Sequence, residues 1–263
     1  MTGAVFAIKV PLGLYREPGM RFYNPKSLKI PTISAVMGML LGIAGVGNGS
    51  YGVDYMARDE FVKNHISGVY MGFGVVRMPE EVVYGGKDFL ASRAPWQIIM
   101  CGHYELMLDW GEIESKHGRK WAENLVKRVR DKDYVFPPYA GMSSFPVLID
   151  LMDYVESFEE VKPEELVDLN SAIIIPGQTR GICVGGRLYN IQFRQGMLMV
   201  NSPVLMEGYG KDSKRKGMFR IIASERNIFL IARDEDCNEH HHKLVRWSGE
   251  TWLLTRIDLN IYG

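Results

Sequence analysis

The sequence predicts an α+β protein in two parts, an N-terminal half with the element order βαββαβ and a β-rich C-terminal remainder. Three observations carry that prediction: β-branched and aromatic runs bounded by Pro and Gly, two stretches with apolar residues at helical spacing, and a turn to short β-type segments after residue 170. With 263 residues, 46% of them hydrophobic and 24% charged, the chain is long enough to close one large core or two small ones, which excludes global disorder.

The first strand is expected over residues 3–10, ending at Pro11, which has no N–H to give a ladder. A loop rich in Pro, Gly and basic residues runs from there to Pro31. Thr32 can then cap a helix on which Ile33, Val36, Met37, Leu40, Leu41 and Ala44 recur at helical spacing. Gly38 and Gly42 lie one turn apart on it, which lowers its intrinsic stability and is expected where a sheet packs tightly against it. Residues 66–78 read as a strand, 79–95 as a polar excursion turning at Gly85-Gly86, and 97–110 as another strand. From 116 to 130 a second helix gathers Trp121, Ala122, Leu125, Val126 and Val129 on one face and leaves Arg119, Lys120, Lys127, Arg128 and Arg130 to the others. Residues 145–155 supply a sixth element that reads as strand or, nearly as well, helix. As a strand it completes the ferredoxin-like pattern. Further strands are expected at 172–175, 182–184, 187–193, 197–200, 219–223, 228–232 and 252–261. The expected division is 1–158 for the ferredoxin-like part and 159–263 for the β-rich part.

The apolar runs at 33–46 and 147–155 fall short of the roughly 20 residues a bilayer demands, and no basic segment precedes an apolar block at the start. The three cysteines, Cys101, Cys183 and Cys237, are widely spaced without a CxxC, a set that makes no disulfide framework and points to a reducing cytoplasm. Charge sums to zero, 31 basic against 31 acidic residues, but is unevenly spread. Lys9, Arg16, Arg21, Lys26 and Lys29 face Glu17 alone in the first 50 residues. Basic runs recur at 116–132 and 211–220, and acid concentrates at 150–168. Any one run reads as a solvated face; three of them favour a polyanion partner.

The segments Phe6-Ala7-Ile8-Lys9, Tyr15-Arg16-Glu17-Pro18 and Ile30-Pro31-Thr32-Ile33-Ser34-Ala35-Val36-Met37-Gly38 resemble the start of the Cas-five family. These are RAMP-type subunits of the CRISPR Cascade complexes of type I systems. Downstream, Phe136-Pro137-Pro138-Tyr139-Ala140-Gly141-Met142-Ser143-Ser144-Phe145-Pro146 is similar to the family's segment after its second helix. The resemblance covers about the first 150 residues, and the last hundred match nothing nameable.

The resemblance implies an RNA-recognition-like ferredoxin core whose excursion at 79–95 is a β-hairpin thumb. It implies a cytoplasmic, non-catalytic subunit that binds the 5′ handle of the CRISPR RNA and caps the filament of backbone subunits. It also docks the large subunit, through which the assembled complex meets target DNA, and needs no cofactor and no metal. The residues expected on RNA are Arg16, Lys26, Lys29, Thr32, Ser34, Lys87, Lys116, His117, Lys214 and Arg215, with Tyr84 or Phe89 stacking on or wedging between bases. The alternative is an endoribonuclease. Lys116-His117 matches the Lys-His pair of the members that mature CRISPR RNA without metal, and a His with a Lys can move a 2′-hydroxyl proton and stabilise a phosphorane. Those members also use a tyrosine near the end of the first helix, where this chain has Ile43-Ala44-Gly45-Val46. Tyr51 and Tyr55 stand further along. A free-standing ferredoxin-type RNA-binding module is a third reading.

Other constellations carry less. Cys237 and His240 have the spacing of two zinc ligands, but a structural zinc needs two more, so 237–242 reads as an exposed polar loop. Gly45-Val46-Gly47-Asn48-Gly49 follows a helix rather than opening one and reads as a helix exit. Residues 211–217 read as a basic loop between strands, able to cradle phosphates or simply solvated. No hydrolase motif is present.

Overall fold

The structure, a computed structural model, describes residues 1–16, 26–45, 67–84, 96–113, 116–141, 143–176, 181–193, 197–207, 214–224, 228–239 and 241–257. The N-terminal half contains β1 (Gly3–Gly13), β2 (Tyr15–Arg16), β3 (Ser27–Leu28), α1 (Ile33–Ala44), β4 (Val69–Arg77), β5 (Glu80–Tyr84), β6 (Trp96–Asp109), α2 (Lys116–Asp131) and β7 (Leu148–Val155). The rest is strand: β8 (Glu159–Glu160), β9 (Leu166–Leu169), β10 (Ile173–Pro176), β11 (Ile182–Val184), β12 (Arg187–Phe193), β13 (Met197–Glu207), β14 (Lys214–Ser224), β15 (Ile228–Asp236), β16 (His242–Trp247) and β17 (Glu250–Ile257). The fold is mixed α/β, with two helices among the described residues and one large mixed sheet.

Its first four strands stand in the order β7-β1-β6-β4, each antiparallel to its neighbour. The sheet continues through β17, β16, β11, β12 and β15 to β9; β17 pairs antiparallel with the lower end of β4, and β11 meets β16 in parallel. A smaller sheet, β10-β14-β13, lies beside it, with β13 against α1.

Alternation decides which side chains enter the core. Ala4, Phe6, Ile8 and Val10 of β1 point into the largest cluster, which α1 covers with Ile33, Val36, Met37, Leu40 and Leu41, and α2 with Trp121, Ala122, Leu125, Val126 and Val129. Ile174, Val200, Phe219, Ile221 and Ile257 from the second half join the same cluster. On the opposite face Val5, Tyr70 and Met107 pack against Phe158, Val245, Trp252 and Leu254. There Trp252 lies so close over β4 that a Cβ on Gly74 would stand 2.5 Å from its ring, so only glycine fits. Between the halves, Lys243 Nζ sits 3.0 Å from the buried Asp109 carboxylate and over the Tyr70 ring. Burial pushes the Tyr70 phenol up to about 12.

Several expectations are corrected. β1 runs through Pro11 to Gly13, because β7 pairs it only as far as Lys9 and beyond that a missing N–H costs no bond on that edge. The excursion begins as strand: β5 pairs residue for residue with the start of β6, Glu80 opposite Met100 and Tyr84 opposite Trp96. A Cβ on Gly38 would meet none of the described residues within 4 Å, so that glycine marks no tight helix-sheet contact among them. Gly45 does end α1, in the left-handed region at φ 78°, with its N–H on the Gly42 carbonyl. Lys214 and Arg215 belong to a strand, opposite Glu207 and Met206. Against the expectation of no disulfide, Cys183 and Cys237 are joined in one, brought together by contacts 54 residues apart in sequence, so Cys237 is not available to zinc. His242 is buried in β16, where its Nε2 lies 3.1 Å from the Ile174 carbonyl. β9 and β16 were not legible as strands; β16 is hidden in sequence by the polar run that leads into it. No helix of the described residues is long and apolar enough to cross a membrane.

Candidate nucleic-acid interface

One end of the sheet, where β1 finishes and β6 begins, collects the basic N-terminal residues. Arg16 lies on β2, paired with Ser27 of β3, and Lys26 bridges to Gln97 at the start of β6. The Ser27 hydroxyl accepts from the Tyr15 amide and donates to the Leu28 carbonyl, closing this turn of chain. Tyr104 of β6, fully buried and stacked on Phe73, donates its hydroxyl to the Lys29 carbonyl. That bond fixes the backbone from which the Lys29 side chain leaves, and its Nζ comes to 3.9 Å from Glu81 of β5. Burial raises both the Tyr15 and Tyr104 phenols, so each stays neutral and serves as an anchor, not as an acid or base.

Thr32 caps α1, its Oγ1 accepting from the Ala35 amide and lying 2.9 Å from the Ser34 hydroxyl. The sequence-predicted Arg16, Lys26, Lys29, Thr32 and Ser34 thus come from three elements to one end of the molecule, beside the β5–β6 ladder that carries Tyr84. The Pro-Tyr-Gly segment folds onto the same end: the Leu14 amide donates to Ala140, and a Cβ on Gly141 would overlap the Leu14 carbonyl oxygen. Sequence reasoning missed Tyr104 and Glu81. Tyr104 looks like one more core aromatic, and only the register of β6 brings it under Lys29.

Lys116 and His117 are elsewhere. They form the first turn of α2, which follows the other end of β6, and its 16 residues span about 24 Å. The end of α1 is held against the segment that follows α2, with Val135 and Phe136 donating to the Ile43 and Gly42 carbonyls. The Ala44-Gly45 position therefore sits by the far end of α2, about a helix length from the Lys-His pair. Lys87, Phe89, Tyr51, Tyr55 and His240 lie outside the described residues. A cavity of about 300 Å³ opens between Gly74, Glu105, Ser171, Ser224 and Glu250. Its carboxylates have the wrong sign for phosphate, and burial together with Glu250 raises Glu105. Among the described residues no group of three or more His, Cys, Asp or Glu is placed to hold a metal ion.

No protein-family model matches the chain, and no curated protein does. Among solved structures, a CRISPR protein from Archaeoglobus fulgidus is similar over 98% of this chain and 100% of its own, with a TM-score of 0.50 at 13% identity. A Cas protein is similar over 88% and 96%, at 0.45 and 18% identity. A chain of a CRISPR RNA-guided surveillance complex is similar over 90% and 92%, at 0.44 and 13% identity. At such identities the likeness to the Archaeoglobus protein is one of fold, a mixed α/β sheet architecture shared end to end.

Proposed function

We propose that this chain is a non-catalytic RNA-binding and scaffolding subunit of a type I CRISPR surveillance complex, of the Cas-five kind, holding the 5′ handle of the CRISPR RNA. In this reading the order β7-β1-β6-β4, with α1 after β1 and α2 after β6, is the 4-1-3-2 order of a ferredoxin-like RAMP core over residues 1–158. β5 and the start of β6 are the stem of a thumb at 79–95, and 159–263 forms the second part. The backbone and large subunits and, through them, target DNA are the partners. The sequence resemblance and the fold shared with the Archaeoglobus CRISPR protein support the assignment.

The observation that carries it is the gathering of Arg16, Lys26, Lys29 and the Thr32-Ser34 cap at one sheet end. Cations and the half-buried Ser34 hydroxyl suit phosphates, Thr32 itself being buried in the cap, and splayed single-stranded bases have Tyr84's strand beside them. The nuclease alternative needs a tyrosine near Lys116-His117, and the first helix ends about 24 Å along α2 from that pair. Purified protein incubated with repeat RNA in EDTA should bind it and leave it intact. A discrete product ending in a 2′,3′-cyclic phosphate, abolished by His117→Ala, would overturn the scaffold reading.

A further inference from the structure

The sheet face turned away from the helices carries a row of three basic side chains that the interface above does not use. In the antiparallel register Lys9 of β1 stands opposite His103 of β6, and His103 stands opposite Arg77 of β4. Directly opposed residues share a face, and their neighbours Ile8, Val10 and Tyr104 fill the core on the other side. The row therefore crosses three adjacent strands with strand spacings of about 5 Å. A bulge between Val75 and Arg77 returns Arg77 to this face after Val75 has met Tyr104 on the core side.

The row is unsatisfied in a particular way. His103 Nε2 is buried with no hydrogen-bond partner among the described residues, a state that costs about 1–3 kcal/mol for a polar group. The cations on either side are engaged only loosely, Lys9 at 4.0 Å from Asp150 and Arg77 at 3.5 Å from Glu80, with every side chain of both pairs about half exposed or more. Pairs of that kind contribute little, and long exposed side chains exchange partners on the nanosecond scale. Asp150 is in any case held by Lys132, whose hydrogen bond keeps that carboxyl below its ordinary range. Burial, then the Lys9 charge, lowers the His103 imidazole, which keeps it neutral; an anion seated beside it would favour the protonated form.

We infer that Lys9, His103 and Arg77 form a second RNA contact, seating one phosphodiester of a single strand on the sheet face with the imidazole between the two cations. This rests on the RNA-binding reading above. Lys9 and Arg77 swing from their carboxylates onto the phosphate oxygens, which uncovers Nε2 to donate to the same group once protonated. A single-stranded nucleic acid is the partner that fits, because the exposed Lys9 and Arg77 flank the half-buried His103 in a row that crosses the strands as a backbone would; an acidic protein segment would need a groove to order it. Other charged groups facing the row are Glu105, two residues along β6, Asp150 of β7 and Glu80 of β5.

The test is fluorescence anisotropy of labelled repeat-derived single-stranded RNA on the full chain, across about 50–300 mM NaCl and roughly pH 5.5–8. The Lys9→Ala, Arg77→Ala double variant should bind about tenfold more weakly, with a salt slope shallower by about 0.7 for each phosphate charge it no longer neutralises. Its thermal melting should not change, since both side chains are exposed. Affinity of the wild type should rise as pH falls, and His103→Gln should remove most of that rise while Glu105 and Asp150 remain. If the wild type binds and the double variant matches it in affinity and slope, the second contact is overturned while the first interface stands. If the wild type binds no RNA, both readings fall. If poly-glutamate displaces the RNA as well as unlabelled RNA does, the row is a site for acidic protein instead.

Discussion

The Tyr104 hydroxyl, on β6 of the large sheet, donates to the Lys29 carbonyl 75 residues earlier in the chain. Through this bond the sheet core holds the loop that presents Lys26 and Lys29 and opens the first helix. Tyr104→Phe keeps the ring and its stack on Phe73 but leaves a partly buried carbonyl without its donor, at a cost of about 1–2 kcal/mol. Urea unfolding should show that loss. RNA affinity should fall by more than stability alone explains, because the cations lose their platform.

Lys243 reaches from the second half of the chain to Asp109 of β6, 14% and 8% exposed respectively. Asp109 also accepts from the Gly111 amide, so it is held in place whether or not the lysine is there. Lys243→Ala leaves this buried carboxylate without its cation and should destabilise by about 3–5 kcal/mol in denaturant titration. The double variant Lys243→Ala, Asp109→Asn should recover part of that loss.

Reduction should weaken the second half of the chain selectively. The Cys183–Cys237 disulfide closes a separation of 54 residues around β12 to β15, which constrains the unfolded chain by about 2–4 kcal/mol. Hydrogen exchange in β11, β12 and β15 should speed up in dithiothreitol, and β1 and β6 should change least. Uniform loss of protection would show that the halves unfold as one unit.

His242 gives stability a pH dependence. Burial draws its imidazole down to about 4, below the ordinary value of 6.5, so the folded protein keeps it neutral and the unfolded chain binds the proton first. Its contribution is full above about 6.5, declines as pH falls and is exhausted near 4, about 3 kcal/mol across that window. Thr255 also donates to Ile174, so a substituted site is not left with a bare carbonyl. His242→Gln should flatten the stability profile between pH 6.5 and 4, as read by thermal melts in matched buffers.

Much of this architecture was legible in the chain. Thr32 before Ile33, and the spacing of Trp121, Leu125 and Val129, announced both helices to within a residue, because capping and 3.6-residue periodicity are local signals. The excess of basic residues at 9, 16, 21, 26 and 29 is legible in the charge distribution, and the family resemblance assigns 16, 26 and 29 to RNA. What escaped depended on contacts far apart in sequence. Nothing near Cys183 announces Cys237, and nothing near Tyr104 announces Lys29. Pro11 ended the first strand on local rules, yet the strand continues because β7 has already stopped pairing there. Lys9, Arg77 and His103 are far apart in sequence and meet only through strand register.

The central claim, that the end of the sheet beside the first helix binds the 5′ handle of a CRISPR RNA, is tested most directly by titrating labelled handle RNA. The wild type and the Arg16→Ala, Lys26→Ala, Lys29→Ala variant are compared at several salt concentrations. The account predicts tight binding by the wild type that weakens steeply with salt, and a variant at least about tenfold weaker with a slope shallower by about 2. Equal affinity and equal slope for the two proteins would contradict it.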